Sequence, residues 1–160
     1  MTSFDYSENK KLIIATVFSG IVAGFISSVH HWYGAIVYDT PWRASVAYWI
    51  MGIVLVVYSL LYVYWRNLDN VVGKICIWLF LLSAVIFQAG FVTFECVYSH
   101  VLKNILFFGG ASEALLNTLF PSPAYHLPDN IFFEVTGNLQ LIGFVAVWYG
   151  YRVFSNRPQN

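Results

Sequence analysis

The sequence has little charge: only 10% of its 160 residues are Asp, Glu, Lys or Arg, whereas a soluble domain carries about 25%. The eight basic and eight acidic residues cancel, which gives no reason to expect a nucleic-acid partner. Hydrophobic residues make up 59% of the chain, and the mean hydropathy is +0.65. A soluble core of this size does not need so much apolar surface, so the composition predicts a membrane protein.

Cysteine is also scarce, with only Cys76 and Cys96. They fall at opposite ends of one predicted helix, which excludes a disulfide between them, and no CxxC motif is present. Each is best interpreted as a small buried apolar residue. The chain also lacks a Gly-rich phosphate loop, an HExxH zinc motif and a CxxCH haem motif, so these short motifs assign no function.

Long apolar runs are abundant. Four of them reach or exceed the ~20 residues that cross a bilayer, and they predict helices over about residues 12–32, 42–65, 74–98 and 131–154. The first run is longer than a signal-peptide core and no A-x-A site follows it, so we expect a retained helix. Short connections make neighbouring helices antiparallel. The predicted fold is one all-α domain over residues 1–160, an up-down bundle of four transmembrane helices.

Local signals add detail to this bundle. Gly20, Gly24 and Ser28 recur every four residues, a small-residue face that predicts close packing of the first helix against a neighbour. Pro41 is expected in the first turn of the second helix. Gly109 and Gly110 should end the third helical region.

Two capping residues are predicted around the long third connection, residues 99–130. Ser112 is expected to cap a short helix that reaches Phe120 and lies in the membrane interface. Asp129 is expected to cap the fourth helix.

The basic residues predict an orientation. One side of the bundle receives only Arg43 and Lys103, and the other receives six: Lys10, Lys11, Arg66, Lys74, Arg152 and Arg157. The richer side should be cytoplasmic, with both termini inside and the 99–130 loop outside. This pattern is typical of a small protein of a bacterial inner (plasma) membrane.

This orientation collects polar residues at the outer side of the bundle. The set holds all four histidines and five of the eight acidic residues: His30, His31, His100, His126, Asp39, Glu95, Glu113, Asp129 and Glu134. Carboxylates within spanning segments are costly unless they are paired or used. We therefore expect either a functional site or a bonded polar cap at this depth.

Imidazole and carboxylate groups together form the ligand set of zinc, iron, copper or manganese, and facing helices can supply them. The predicted ligands are His31, Glu95, His100 and Glu134, with a second tier of His30, His126 and Asp129. Glu95 and His100 are five residues apart, so α-helical spacing places them on neighbouring sides of the third helix. Glu95 then shares its side with Gln88 and Ser99, and His100 shares its side with Cys96 and Lys103.

Three interpretations of this cluster compete. The first is a metal site, the second is proton or substrate handling by carboxylates and histidines, and the third is a structural cap. We favour a small integral membrane protein whose outer-leaflet pocket binds a metal ion or a small polar ligand. The alternative is a non-catalytic membrane subunit, within a homo-oligomer or a larger complex, whose polar cap is structural.

Overall fold

A computed structural model describes residues 6–68, 70–145, 148 and 152. Over these residues the regular structure is entirely helical, with six α-helices and no β-strand, which confirms the all-α class. The helices are α1 (Tyr6–Val37), α2 (Pro41–Arg66), α3 (Val71–Phe87), α4 (Lys103–Phe108), α5 (Glu113–Leu119) and α6 (Ile131–Leu139). Pro41 lies in the first turn of α2, as predicted.

The third helical region does not end near residue 98. The backbone continues from α3 through a π-helical segment, Gln88–Leu102, directly into α4. The helix ends at Gly109 and Gly110, and Gly110 has a φ of 79°, a left-handed conformation that glycine adopts without steric cost. The predicted break at these glycines is confirmed.

The long loop contains the short helix that was expected. Ser112 caps α5 by accepting a hydrogen bond from the backbone N–H of Leu115 at 3.3 Å, which confirms that prediction. The cap of α6 is different: Asn130, not Asp129, accepts the backbone N–H of Phe133 at 3.0 Å. The Asp129 carboxylate instead accepts a hydrogen bond from the Tyr38 hydroxyl, 2.6 Å away. The predicted cap was therefore wrong by one residue.

A 3₁₀ turn, Gln140–Ile142, follows α6, and helical backbone continues to residue 145. Of the remaining part of the predicted fourth helix, only Trp148 and Arg152 are among the described residues. The other residues of the 146–154 stretch lie outside them.

The predicted small-residue face of α1 lies against α2. A Cβ atom added to Gly24 would lie only 2.7 Å from Cγ2 of Val54. The Ser28 hydroxyl donates to the Gly24 carbonyl oxygen at 2.9 Å and lies 3.4 Å from that of Ala47. The absence of larger side chains here therefore sets the separation of the two helices.

The bundle has two chemically different ends. Where α2 ends and α3 begins, an apolar cluster fills the interior with Leu61, Tyr64, Cys76, Ile77, Phe80 and Leu81. At the opposite end, the buried side chains are mostly polar or charged. Cys76 and Cys96 are both buried and unpaired.

The exterior is strongly apolar. Within the described part of the chain, α2 alone is long and apolar enough, by length and composition, to cross a membrane. Its most apolar window has a mean hydropathy of 2.2 but is only 22% buried within the protein. Large side chains of α2 such as Trp49 and Leu55 point outward, at 74% and 67% exposure.

Candidate metal centre

Three helical elements carry their ionisable side chains to the polar end of the bundle. His30 and His31 lie near the end of α1, Glu95 and His100 lie on the π-helical segment, and Glu134 lies in the first turn of α6. His30 and His100 are 0% and 2% exposed. The site is therefore enclosed by the bundle rather than displayed on its surface.

His30, Glu95 and His100 form its centre. Their nearest ligand atoms, the two Nε2 atoms and one carboxylate oxygen, all lie within 4.8 Å of one another. The Nε2 atoms of the two histidines are 3.2 Å apart, and Oε1 of Glu95 lies 3.7 Å from His30 and 3.8 Å from His100. Ligand atoms around a tetrahedral zinc ion, bonded at roughly 2.0–2.2 Å, lie about 3.3–3.6 Å apart. The three observed separations are thus within a few tenths of an ångström of those expected between the ligands of one metal ion.

The π-helix explains how Glu95 and His100 reach the same point. Its hydrogen bonds run from residue i to residue i+5, so side chains five residues apart lie nearly one above the other. The sequence-based assignment of these two residues to neighbouring sides assumed α-helical spacing and was wrong for that reason. Cys96 points elsewhere, with its thiol 3.4 Å from the backbone oxygen of Asn138.

Hydrogen bonds to the outer nitrogens assign the tautomers of the two central histidines. Nδ1 of His100 lies 2.9 Å from a carboxylate oxygen of Glu134 and donates to it. Nδ1 of His30 lies 3.1 Å from the Thr136 hydroxyl, which gives its own proton to the backbone oxygen of Phe132 at 2.8 Å. When the hydroxyl keeps its bond to Phe132, it accepts from His30, and Nδ1 of His30 is then also a donor.

With one proton on each outer nitrogen, both Nε2 atoms carry lone pairs that face each other across 3.2 Å. Two acceptors at that distance repel unless a cation, either a proton or a metal ion, lies between them. Outer-nitrogen bonds to a carboxylate and a hydroxyl are also the usual means of orienting metal-bound histidine. The arrangement thus has both an inner ligand group and the outer partners that such a group requires.

Glu134 joins the centre to a buried lysine. One of its oxygens accepts from His100, and the other accepts from Lys103 Nζ at 2.7 Å. Lys103 is only 1% exposed and also donates to the backbone oxygen of His126 at 2.7 Å.

Burial lowers the pKa of Lys103, although the neighbouring Glu134 charge opposes this effect. Burial also disfavours charge on His100, but its hydrogen bonds to Glu134 and Glu95 prevail and raise its pKa.

Two glycines allow this close packing. A Cβ atom on Gly137 would lie 2.4 Å from the His100 ring, and one on Gly34 would lie 2.5 Å from Cε2 of Phe133. Phe133 stacks on the His30 ring with centroids 4.0 Å apart. The absent side chains let α6 approach both α1 and the π-helical segment, and Phe133 supplies the apolar wall behind the histidines.

His31 approaches the centre from outside the group of three. Its Nε2 atom lies 3.8 Å from Oε1 of Glu95, and neither ring nitrogen has a hydrogen-bond partner among the described residues. Glu95 therefore faces the Nε2 atoms of three histidines at nearly equal distance. Of the four predicted ligands, Glu95 and His100 belong to the central group, while Glu134 contacts the outer nitrogen of His100.

The two loop residues of the predicted second tier do not belong to the central group. The His126 ring stacks on Tyr38 with centroids 3.8 Å apart, and Asp129 accepts from the Tyr38 hydroxyl. Burial and the nearby Arg43 charge lower the pKa of His126, while burial and the bond to Asp129 raise the pKa of Tyr38. These contacts fasten the loop over the site.

Sequence reasoning placed His30 in the second tier and did not single out Thr136 or Lys103 as partners of the centre. His31 was among the four predicted ligands and His30 was not, yet both histidines are buried. The adjacent pair His30-His31 was the available signal, because two neighbouring helical residues can both reach a site at a helix end. Thr136 carried no such signal in the sequence.

Chemically, the centre offers two imidazoles and one carboxylate, a set suited to a first-row transition metal. Three protein ligands with a position left for another molecule are typical of reactive rather than purely structural zinc sites. Comparisons of the chain with protein-family models, with curated proteins and with solved structures find no match.

Proposed function

We propose that the protein is a small integral membrane protein that binds a transition-metal ion at the outer end of a four-helix transmembrane bundle. His30, Glu95 and His100 hold the ion, with His31 beside Glu95. Glu134 orients His100, and the loop that carries His126 and Asp129 covers the centre. Compared with the ligand set predicted from sequence, His30 is added as a ligand, and Glu134 becomes a partner of the outer nitrogen of His100.

The observation that carries the metal proposal is the convergence of three ligand atoms: the Nε2 atoms of His30 and His100 lie 3.2 Å apart, with Oε1 of Glu95 3.7 Å from one and 3.8 Å from the other. Both outer nitrogens are held by acceptors, so a neutral ring cannot turn its proton toward the other without losing a buried hydrogen bond, and without a metal ion the gap is bridged only by an added proton. A metal ion satisfies both nitrogen atoms and the Glu95 carboxylate together. The nearly complete burial of both rings makes the lack of such a partner costly.

The membrane proposal is supported by the exterior of α2. A core helix of a soluble protein is mostly buried, whereas the apolar window of α2 is 22% buried. Lipid is the solvent in which such a surface is stable. The unequal distribution of Lys and Arg supports the orientation with both termini cytoplasmic and residues 99–130 outside.

Metal analysis tests the proposed centre. The protein is purified in mild detergent without added metal, and its metal content is measured by mass spectrometry, before and after dialysis against a chelator and reloading with Zn²⁺ or Co²⁺. We expect one ion per chain, and a Co²⁺ absorption spectrum typical of a tetrahedral site. Glu95→Gln should abolish stoichiometric binding because the amide keeps the shape but loses the charge. Glu113→Gln, an exposed acid on α5, is the matched control.

An absence of bound metal in both the wild-type protein and Glu113→Gln, under all loading conditions, would contradict this function. It would favour the alternative, in which the polar end is a structural cap of a subunit in a larger complex. The observation that favours this second candidate is the continuous series of hydrogen bonds from Lys103 through Glu134 to His100. A metal-free protein that is stable only with a partner would establish it.

Thiol labelling tests the orientation. In a variant without the native cysteines, Ser122→Cys should react with an impermeant reagent on intact cells, and Leu68→Cys should react only after lysis. Both positions are exposed, so the difference reports sidedness alone. The reverse pattern would place the metal centre at the cytoplasmic face.

A further inference from the structure

A cavity of about 260 Å³ lies beside the proposed metal centre. Glu95, His100 and His31 line it on the side of the centre, and Arg43 and Lys103 are among its other lining residues. Most of the remaining wall is apolar, formed by Trp42, Val46, Phe91, Phe94, Tyr125 and Phe133. A molecule in this cavity would therefore contact both the centre and two buried cationic side chains.

Arg43 is only 4% exposed, and its guanidinium is held in a fixed position. Its Nη2 group donates to the backbone oxygen of Ala124 at 2.8 Å. The guanidinium carbon lies 5.0 Å from the Trp42 ring centroid and 5.2 Å from that of Phe133. The Nε–H group, however, is buried and has no partner among the described residues.

Among the described residues, no carboxylate forms a direct ion pair with Arg43. Lys103, in contrast, is paired with Glu134 at 2.7 Å. Glu95 is the carboxylate residue that lines the cavity. A divalent metal ion bound to it would neutralise its charge and leave an excess of positive charge. The loaded site would then be distinctly cationic around Arg43.

Two of the residues that line the same cavity, His31 and His126, carry further unpartnered nitrogens. Both ring nitrogens of His31 and Nε2 of His126 are buried without a hydrogen-bond partner among the described residues. Buried polar atoms of this kind normally have partners. Three side chains on different segments of the chain thus leave hydrogen-bonding capacity around one space.

We propose that this cavity binds a small oxyanion, a phosphate or carboxylate group, with Arg43 as its principal anchor. The inference rests on the proposed metal centre, which the cavity adjoins, and it names the class of ligand that the centre receives. A planar guanidinium suits the oxygens of both groups. The apolar wall restricts the rest of the ligand to a compact or hydrocarbon portion. The group can come from a free anion or from a lipid headgroup.

Titration calorimetry on the zinc-loaded protein in neutral detergent tests the anchor, with inorganic phosphate and acetate as separate probes. We expect at least one of them to bind, and Arg43→Gln to weaken that binding at least tenfold. Arg66→Gln removes the same charge from the opposite, exposed end of α2 and should leave binding unchanged. Equal binding by wild type and Arg43→Gln would overturn the proposal.

A second variant keeps the test decisive if Arg43→Gln does not fold. Val46→Phe fills the cavity from its apolar wall without changing Arg43 or a metal ligand. It should retain one metal ion per chain and lose anion binding. Undiminished anion binding by this variant would place the anion elsewhere and overturn the proposal.

Nanodiscs separate the two sources of the anion. Zinc-loaded protein is placed in phosphatidylcholine discs with or without phosphatidylglycerol, and thermal unfolding is measured with and without phosphate. Stabilisation by phosphate in phosphatidylcholine alone identifies a free anion, whereas stabilisation by phosphatidylglycerol that Arg43→Gln abolishes identifies a headgroup. No stabilisation by either, together with no calorimetric binding, overturns the inference.

Failure of this inference is distinguishable from failure of the metal proposal. Metal content is measured on every sample, independently of anion binding. Stoichiometric zinc with no anion binding rejects the cavity ligand alone. Anion binding that depends on Arg43 in a protein that takes up no metal rejects the metal centre and leaves the oxyanion site in place.

Discussion

The two ends of the bundle are buried by different means. At the apolar end, Phe80 and Leu81 are 0% and 1% exposed within a cluster of similar side chains. At the polar end, His30 and Lys103 are buried just as deeply, at 0% and 1%. Apolar contacts are non-directional and tolerate small shifts, whereas buried charges and imidazoles require particular partners at particular atoms.

This contrast indicates where the structure is most specific. The apolar end can be filled by many combinations of side chains with suitable volume. The polar end depends on two hydrogen-bonded groups, Lys103–Glu134–His100 and His30–Thr136, which meet where the two Nε2 atoms lie 3.2 Å apart. Such a network is stable only when every member is satisfied, which is why a cation between His30 and His100 matters.

The largest effect is expected from Lys103→Met. It leaves the Glu134 carboxylate buried without its cation, and breaking a buried pair in this way costs about 3–5 kcal/mol. Denaturant or thermal unfolding in detergent measures the loss. Adding Glu134→Gln should restore part of it, because the second charge is also removed. A double variant whose loss equals the sum of the two single losses would show that the two side chains act independently.

Phe80→Ala should cost about 3 kcal/mol of unfolding free energy, because it removes a fully buried aromatic side chain. Its metal content should stay at the wild-type level, since the apolar cluster lies at the other end of the bundle. Leu79→Ala is the control, because Leu79 is 46% exposed. Loss of metal in a folded Phe80→Ala protein would mean that the two ends are coupled.

Gly137→Ala should disturb the centre directly, since the new Cβ would lie 2.4 Å from the His100 ring. We expect a stability loss of about 1–3 kcal/mol from overpacking and metal affinity reduced roughly 10–100-fold from displacement of the ligand. Competition with a chelator measures the affinity. Gly90→Ala, where the added atom meets open space, should change neither. An unaltered affinity in Gly137→Ala would argue against His100 as a ligand.

The smallest effect is expected from Gly24→Ala, where the added Cβ would lie 2.7 Å from the end of the Val54 side chain. A loss of about 1 kcal/mol is expected, and Val54→Ala in the same protein should recover it. Gly52→Ala, on the open side of α2, serves as the control. Equal melting temperatures for Gly24→Ala and Gly52→Ala would mean that α1 and α2 are separated more widely than the structure indicates.

Much of the fold could be predicted from sequence because it depends on local properties. Pro41 at the start of α2, Ser112 as the cap of α5 and the break at Gly109 and Gly110 each act within one turn of the chain. The position of Asn130 as the α6 cap could not be predicted in this way. Asp129 and Asn130 are equally good caps by residue type, and in the structure Tyr38, distant in sequence, bonds Asp129 while Asn130 caps the helix.

The candidate site was only partly predictable for a similar reason. Glu95, His100 and Glu134 were recognised because ionisable residues in apolar runs are rare. Arg43 was not among the predicted site residues, because its cavity is formed by the π-helical segment and the 120–130 loop together with α2. The partnership of Thr136 with His30 joins residues on α1 and α6, and no sequence spacing reveals it.

The sequence by itself determined that the chain is helical and strongly apolar, and that its histidines and many of its carboxylates gather at one end. Those properties follow from composition, periodicity and capping, which act over a few residues. The tertiary structure decided which nitrogen faces which oxygen. A π-helical register turns Glu95 and His100 to one side, and Gly34 and Gly137 let α6 approach. Coordination depends on separations of a few ångströms between three helices, and only their packing sets those separations.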